Sequence, residues 1–162
     1  PEIFNLFGLT HRPLSQKILV SSANTFPHGS GIASSASSFA ALTLGVITFY
    51  SQDRQEFSKF FSSQDPRAQK LRQKLASLSR EGSGSSCRSF DGPFVSWQGE
   101  SVQQVESKLE PLVDLILIAG SEEKKVSSSQ AHQVVKESPL WKGRVLRAQD
   151  RHGKIFDAIT EG

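Results

Sequence analysis

Two glycine- and serine-rich stretches hold the residues best suited to chemistry. The first runs Pro27-His28-Gly29-Ser30-Gly31-Ile32-Ala33-Ser34-Ser35-Ala36 and leads into an apolar run. Glycines let successive amide N–H groups turn inward, and the helix that follows adds four unpaired N–H groups and the positive end of its dipole. Small serines can donate to an oxyanion without blocking the backbone. Chemically this is an anion cradle, suited to the phosphates of a nucleotide, although the same residues would also make a plain N-capped helix start. It is not a P-loop, because no lysine follows, and it holds no G-x-G-x-x-G. His28 reads as a packing or solvent-facing residue.

The second stretch, Gly82-Ser83-Gly84-Ser85-Ser86-Cys87-Arg88-Ser89, sets a polar nest beside a guanidinium. That forked, permanently charged donor can grip two phosphate oxygens at once. Its plainer reading is a hairpin lead-in with a surface arginine. Cys87 has no histidine partner in the motif and reads as a small buried packing residue. A third stretch, Lys125-Val126-Ser127-Ser128-Ser129, with Glu137-Ser138-Pro139-Leu140 beyond it, puts hydroxyls at a helix start or simply caps that helix.

Elements must position these loops. Lys17 to Ser22 and Leu112 to Ala119 read as strands, the second apolar enough to lie centrally in a sheet. Ile32 to Tyr50 reads as one long helix, with Phe39 to Tyr50 buried. Helices follow over Gln55 to Phe61 and Pro66 to Leu78, the latter with Ala68, Leu71, Leu75 and Leu78 on one stripe. Glu81 to Ser86 is a loop before a strand at Pro93 to Gln98. Ser127 to Val135 looks helical, and Ser138-Pro139 supplies an N-cap and first-turn proline for a last helix, where Val145, Ala148, His152, Ile155 and Ile159 share a face. The order strand, helices, strands, helices is that of an α+β protein.

Composition narrows the class. With 162 residues, 36% hydrophobic and 22% charged, the chain is neither disordered nor a membrane span. The single cysteine rules out an intrachain disulfide and points to a reducing, cytoplasmic setting. The net charge of +3 suits phosphorylated ligands. Basic residues cluster at Arg67, Lys70, Arg72, Lys74 and Arg80, and again at Lys142, Arg144, Arg147, Arg151 and Lys154. Leucine, valine and isoleucine lie between them at helical spacing, so they read as solvated helix faces and not as a nucleic-acid surface. The sequence starts at Pro1 and has no methionine, and the expectation is of a chain incomplete at both ends.

Asn24-Thr25-Phe26-Pro27, Gly31-Ile32-Ala33-Ser34-Ser35-Ala36 and Phe39-Ala40-Ala41-Leu42 together resemble the phosphate loop of the GHMP small-molecule kinases. They are most similar to its diphosphomevalonate decarboxylase version. Gly82 to Ser89, followed by Gly92, Phe94, Val95 and Trp97, resembles that family's second signature, and Lys125 to Ser129 its third. The resemblance implies the GHMP-kinase fold: a ribosomal-protein-S5-domain-2-like N-terminal part over residues 1–112, then the start of a ferredoxin-like C-terminal domain over 113–162.

It also implies a reaction in which ATP, with Mg²⁺, phosphorylates the 3-hydroxyl of mevalonate 5-diphosphate, and phosphate and carbon dioxide then leave to give isopentenyl diphosphate. By that resemblance Gly29, Ser30, Gly31, Ala33, Ser34 and Ser35 hold the ATP phosphates, with Ser35 catalytic at the transferring phosphate. Ser83, Gly84, Ser85, Arg88 and Ser128 hold the substrate diphosphate. No metal ligand can be named, Asp91 and Asp114 being candidates only in the loosest sense. A homodimer is compatible with the reading; nucleic acid and membrane are not expected partners. The family's catalytic aspartate, in an Asp-Ala-Gly-Pro stretch, and its Tyr-Trp-Gly-Lys lysine have no counterpart in these residues. Two alternatives stay open: a related mevalonate or phosphomevalonate kinase or monophosphate decarboxylase, and a nucleotide-binding fragment without turnover.

Overall fold

The computed structural model describes residues 17–26, 33–109, 112–117 and 128–162. These fall into two compact units, one ending at Gln104 and the other starting at Val105.

In the first unit, α1 (Ser34–Tyr50), α2 (Arg54–Phe61) and α3 (Pro66–Ser79) follow one another closely. Local chemistry explains each start. Asp53 accepts from the N–H groups of Gln55 and Glu56 at the head of α2, and Asp65 accepts from Arg67 N–H with Pro66 in the first turn of α3. The stripe expected on α3 is the centre of the core: Ala68, Leu71, Leu75 and Ala76 are almost fully buried. Leu71, Leu75 and Ala76 pack with Ala40 and Ile47 of α1, Phe57 of α2, Cys87, Phe90 and Val102. Leu78 leaves the stripe and is exposed.

A short 3₁₀ helix, Gly84–Ser89, leads to the hairpin β1 (Phe94–Gln98) and β2 (Ser101–Val105). Gly99 opens the two-residue turn at φ 56°, where a side chain would be strained. The glycine-serine segment, read as a loop, is therefore helical over its second half. β2 was not anticipated, since Ser101-Val102-Gln103-Gln104-Val105 is polar; Val102 and Val105 alone turn inward.

Several expectations need correction. Ile18, Leu19 and Val20 are exposed and in no strand, and Leu112 to Leu117 are likewise exposed and unpaired, with 118–119 outside the described residues. Strand formation needs a ladder partner, and the described residues bring none to either segment. Helix α1 is buried on one face only, with Phe39, Leu42 and Val46 exposed, because α3 and the 3₁₀ helix cover just that face. Arg72 is no solvated-face residue. Its Nε donates to Asp91 at 2.7 Å and its Nη1 to the carbonyls of Phe61 and Ser63, so the guanidinium is buried with every bond directed inward.

The second unit holds α4 (Ser128–Val134), a 3₁₀ turn (Val135–Glu137) and α5 (Arg144–Glu161). Ser138 does not cap α5. Its hydroxyl accepts from Leu140 N–H and its carbonyl from Trp141 N–H, which closes a separate turn. The last helix begins only after Gly143, at φ 72°, where the chain reverses in a conformation glycine tolerates.

Candidate functional site: a serine pair between two loops

Helix α1 starts from Ala33, which sits at φ 49° in the left-handed region, and among the described residues no side chain caps it. The carbonyl of Ala33 accepts from Ala36 and Ser37 N–H, so the first amides of α1, those of Ser34 and Ser35, open away from the helix body. An uncapped N-terminus with a partial positive charge favours an anion there. A non-glycine residue held at positive φ is a strained position that the surroundings must enforce.

The second loop continues directly from α3. Backbone N–H groups of Gly82 and Ser83 donate to the Ser79 carbonyl at 3.1 and 3.2 Å, which turns the chain back toward α1. A Cβ on Gly82 would lie 2.0 Å from the Phe39 ring of α1, so only glycine lets the two approach this closely. Ser86 faces inward, fully buried, donating or accepting with Ser79 Oγ at 2.8 Å and reaching the Ser83 carbonyl. Ser83 and Ser85 are half-buried, and Arg88 is exposed.

These anchors bring Ser35 Oγ to 3.4 Å from Ser83 Oγ, across 48 positions of sequence. Two hydroxyls from separate loops thus point into one space, at the open end of α1. Residues Gly29, Ser30 and Gly31 lie outside the described residues. Ser128 opens α4 in the second unit.

Sequence reading missed a further feature. Arg80, taken as one of a solvated row, carries its guanidinium carbon 4.8 Å from the centroid of the Trp97 ring, and Arg88 lies 5.8 Å from the same centroid. Nothing in local spacing announces this, because Trp97 arrives on β1 from a different element. Cys87, fully buried with its thiol on the Gly84 carbonyl, is a packing residue; burial pushes its pKa up, with Arg80 and Arg88 pulling weakly the other way. Asp91 is committed to Arg72, and Asp114 stands exposed in an irregular segment. Among the described residues no group of three or more His, Cys, Asp or Glu converges as a metal site. No helix among them is long and apolar enough to cross a membrane.

A family model described as the diphosphomevalonate decarboxylase-like N-terminal domain matches residues 5–108, a stretch that contains both loops. The chain belongs to the diphosphomevalonate decarboxylase family. Its similarity to the diphosphomevalonate decarboxylase of Eremothecium gossypii is 32% identity over 157 residues, 88% of this chain and 35% of that protein. The Homo sapiens family member is 34% identical over 81% of this chain and 31% of its own length. A crystal structure of a mevalonate diphosphate decarboxylase from Legionella pneumophila superposes with a TM-score of 0.58 at 38% identity, covering 83% of this chain and 39% of that one. The fold is therefore the GHMP-kinase fold of that family, α+β as the element order indicated. The chain spans about a third of the length of the curated relatives it matches.

Proposed function

We propose that the protein to which this chain belongs uses ATP to convert mevalonate 5-diphosphate to isopentenyl diphosphate, in the cytoplasm. The observation that carries the reading is the 3.4 Å approach of Ser35 to Ser83, which joins a nucleotide-type loop to a diphosphate-type loop. A phosphoryl donor and a diphosphorylated acceptor must share one cleft, and phosphoryl transfer depends mainly on positioning and charge neutralisation.

In this division of labour the Ser34 and Ser35 amides bind the nucleotide phosphates, a role that the family resemblance also gives to Gly29, Ser30, Gly31 and Ala33. The Ser35 hydroxyl meets the phosphoryl group in flight. Ser83, Gly84, Ser85 and Arg88 hold the substrate diphosphate and so fix the distance of its 3-hydroxyl. Bound ATP supplies the phosphoryl group. The open end of α1 and the paired hydroxyls fit such anions; the acidic side chains of the described residues do not gather for Mg²⁺, and no ligand set is assigned to it.

A full-length protein carrying this sequence should be given ATP with mevalonate, its 5-phosphate or its 5-diphosphate, scoring carbon dioxide and ADP separately. Release of both products with the diphosphate alone is expected. ADP without carbon dioxide would make the protein a kinase of the same superfamily.

A further inference from the structure

The indole of Trp97 is held from several sides. Its N–H donates to the Gly99 carbonyl at 2.8 Å, across the hairpin turn, and a Cβ on Gly84 would sit 3.5 Å from its Cη2, at the head of the 3₁₀ helix. Two guanidiniums share the ring, Arg80 at 4.8 Å and Arg88 at 5.8 Å. Arg80 has little else to bind. Among the described residues its Nε is buried with no hydrogen-bond partner, and its one ion pair there is a 3.4 Å contact to Glu100, which is 89% exposed and so well screened. Within the described residues Arg88 has no carboxylate at ion-pair distance.

We infer that Trp97, clamped by Arg80, is a positioning residue that pre-orients the Arg88 guanidinium beside Ser83 and Ser85 for a phosphate-bearing ligand. The inference rests on the reading of Ser83 to Arg88 as a phosphate loop. An exposed arginine samples many rotamers, and ordering it on binding weakens affinity. An indole face restricts that freedom by cation–π attraction while leaving the outer edge of the guanidinium free to donate. The Arg80 guanidinium, whose Nε has no hydrogen-bond partner among the described residues, packs on the same ring at 4.8 Å from its centroid and so limits the indole's own freedom.

Trp97 and Trp141 are the two tryptophans, so Trp141→Phe leaves Trp97 as sole reporter. In that background inorganic pyrophosphate should change Trp97 emission saturably, and Arg88→Ala should abolish the change. By calorimetry, Trp97→Leu should weaken pyrophosphate about three- to tenfold, while Trp97→Phe, which keeps an aromatic face, recovers most of the loss. Arg80→Gln should act in the same direction. In an Arg88→Ala chain neither Trp97→Leu nor Arg80→Gln should weaken binding further. Trp97→Phe and Arg80→Gln serve where Trp97→Leu does not fold, as judged by circular dichroism. Equal affinities for the Leu and Phe variants would overturn the inference. So would an Arg80→Gln effect that persists without Arg88, since Arg80 would then touch the anion itself. Absence of any pyrophosphate binding by the unmutated chain is a different result: the phosphate-loop reading falls, and the inference with it.

Discussion

Ser35 Oγ lies 3.4 Å from Ser83 Oγ, although one opens α1 and the other follows α3. Either hydroxyl can donate, so the pair can reorient together toward an oxyanion placed between the two loops. On the proposed function, Ser35→Ala in a full-length protein carrying this sequence should lower kcat about a hundredfold, the usual effect of losing a donor aimed at transition-state charge. Since Ser35 is exposed, stability should change by less than about 0.5 kcal/mol. Unchanged turnover in the folded variant would remove Ser35 from the chemistry.

Arg88 should matter to one ligand and not the other. Arg88→Ala is expected to weaken mevalonate 5-diphosphate by roughly 2–5 kcal/mol, the range for a charge-assisted pair broken on one side. The affinity for ATP should move little, and Arg88→Lys should restore only part, as an ammonium cannot reproduce the fork. Measuring both affinities on each variant decides it; loss of ATP binding with substrate binding intact would assign Arg88 to the nucleotide.

Gly82 is there for space. A methyl group at that position meets the Phe39 ring at 2.0 Å, so Gly82→Ala should destabilise by about 1–3 kcal/mol, the range for overpacking. Removing the ring should relieve the clash. Urea titrations of Gly82→Ala, Phe39→Ala and the double variant test this, with a double variant more stable than the sum of the singles as the expected outcome.

The Arg72–Asp91 pair ties α3 to the segment before β1, with side chains 8% and 13% exposed. Asp91→Ala should cost about 3–5 kcal/mol, since it strands a buried charge. Were Asp91 a metal ligand instead, its loss would alter Mg²⁺ dependence and leave the unfolding midpoint nearly unchanged.

Cys87 should resist thiol reagents until the chain unfolds. Burial raises its pKa above the ordinary 9.0, so the folded state holds the thiol proton more tightly than the unfolded chain does. Its contribution is thus fully present below about pH 9 and lost as pH rises through the folded value. A Cys87→Ala variant should show a shallower alkaline decline in unfolding free energy; equal slopes would show that the group is unperturbed.

The sequence by itself determined the helices and the family. The caps at Asp53 and Asp65, the stripe on α3 and the serine-glycine loops are local patterns, written within a turn or two of the residues they shape. Tertiary structure decided which of those residues work together. Ser35 and Ser83 meet because Gly82 lets Phe39 in, and Arg80 leaves its row of cations because β1 brings an indole beneath it. Arg72 became a buried tie through Asp91, nineteen positions away. The apolar segments Ile18 to Val20 and Leu112 to Leu117 carry strand-like composition yet form none, because a ladder exists only between two chains of peptide groups and composition describes one.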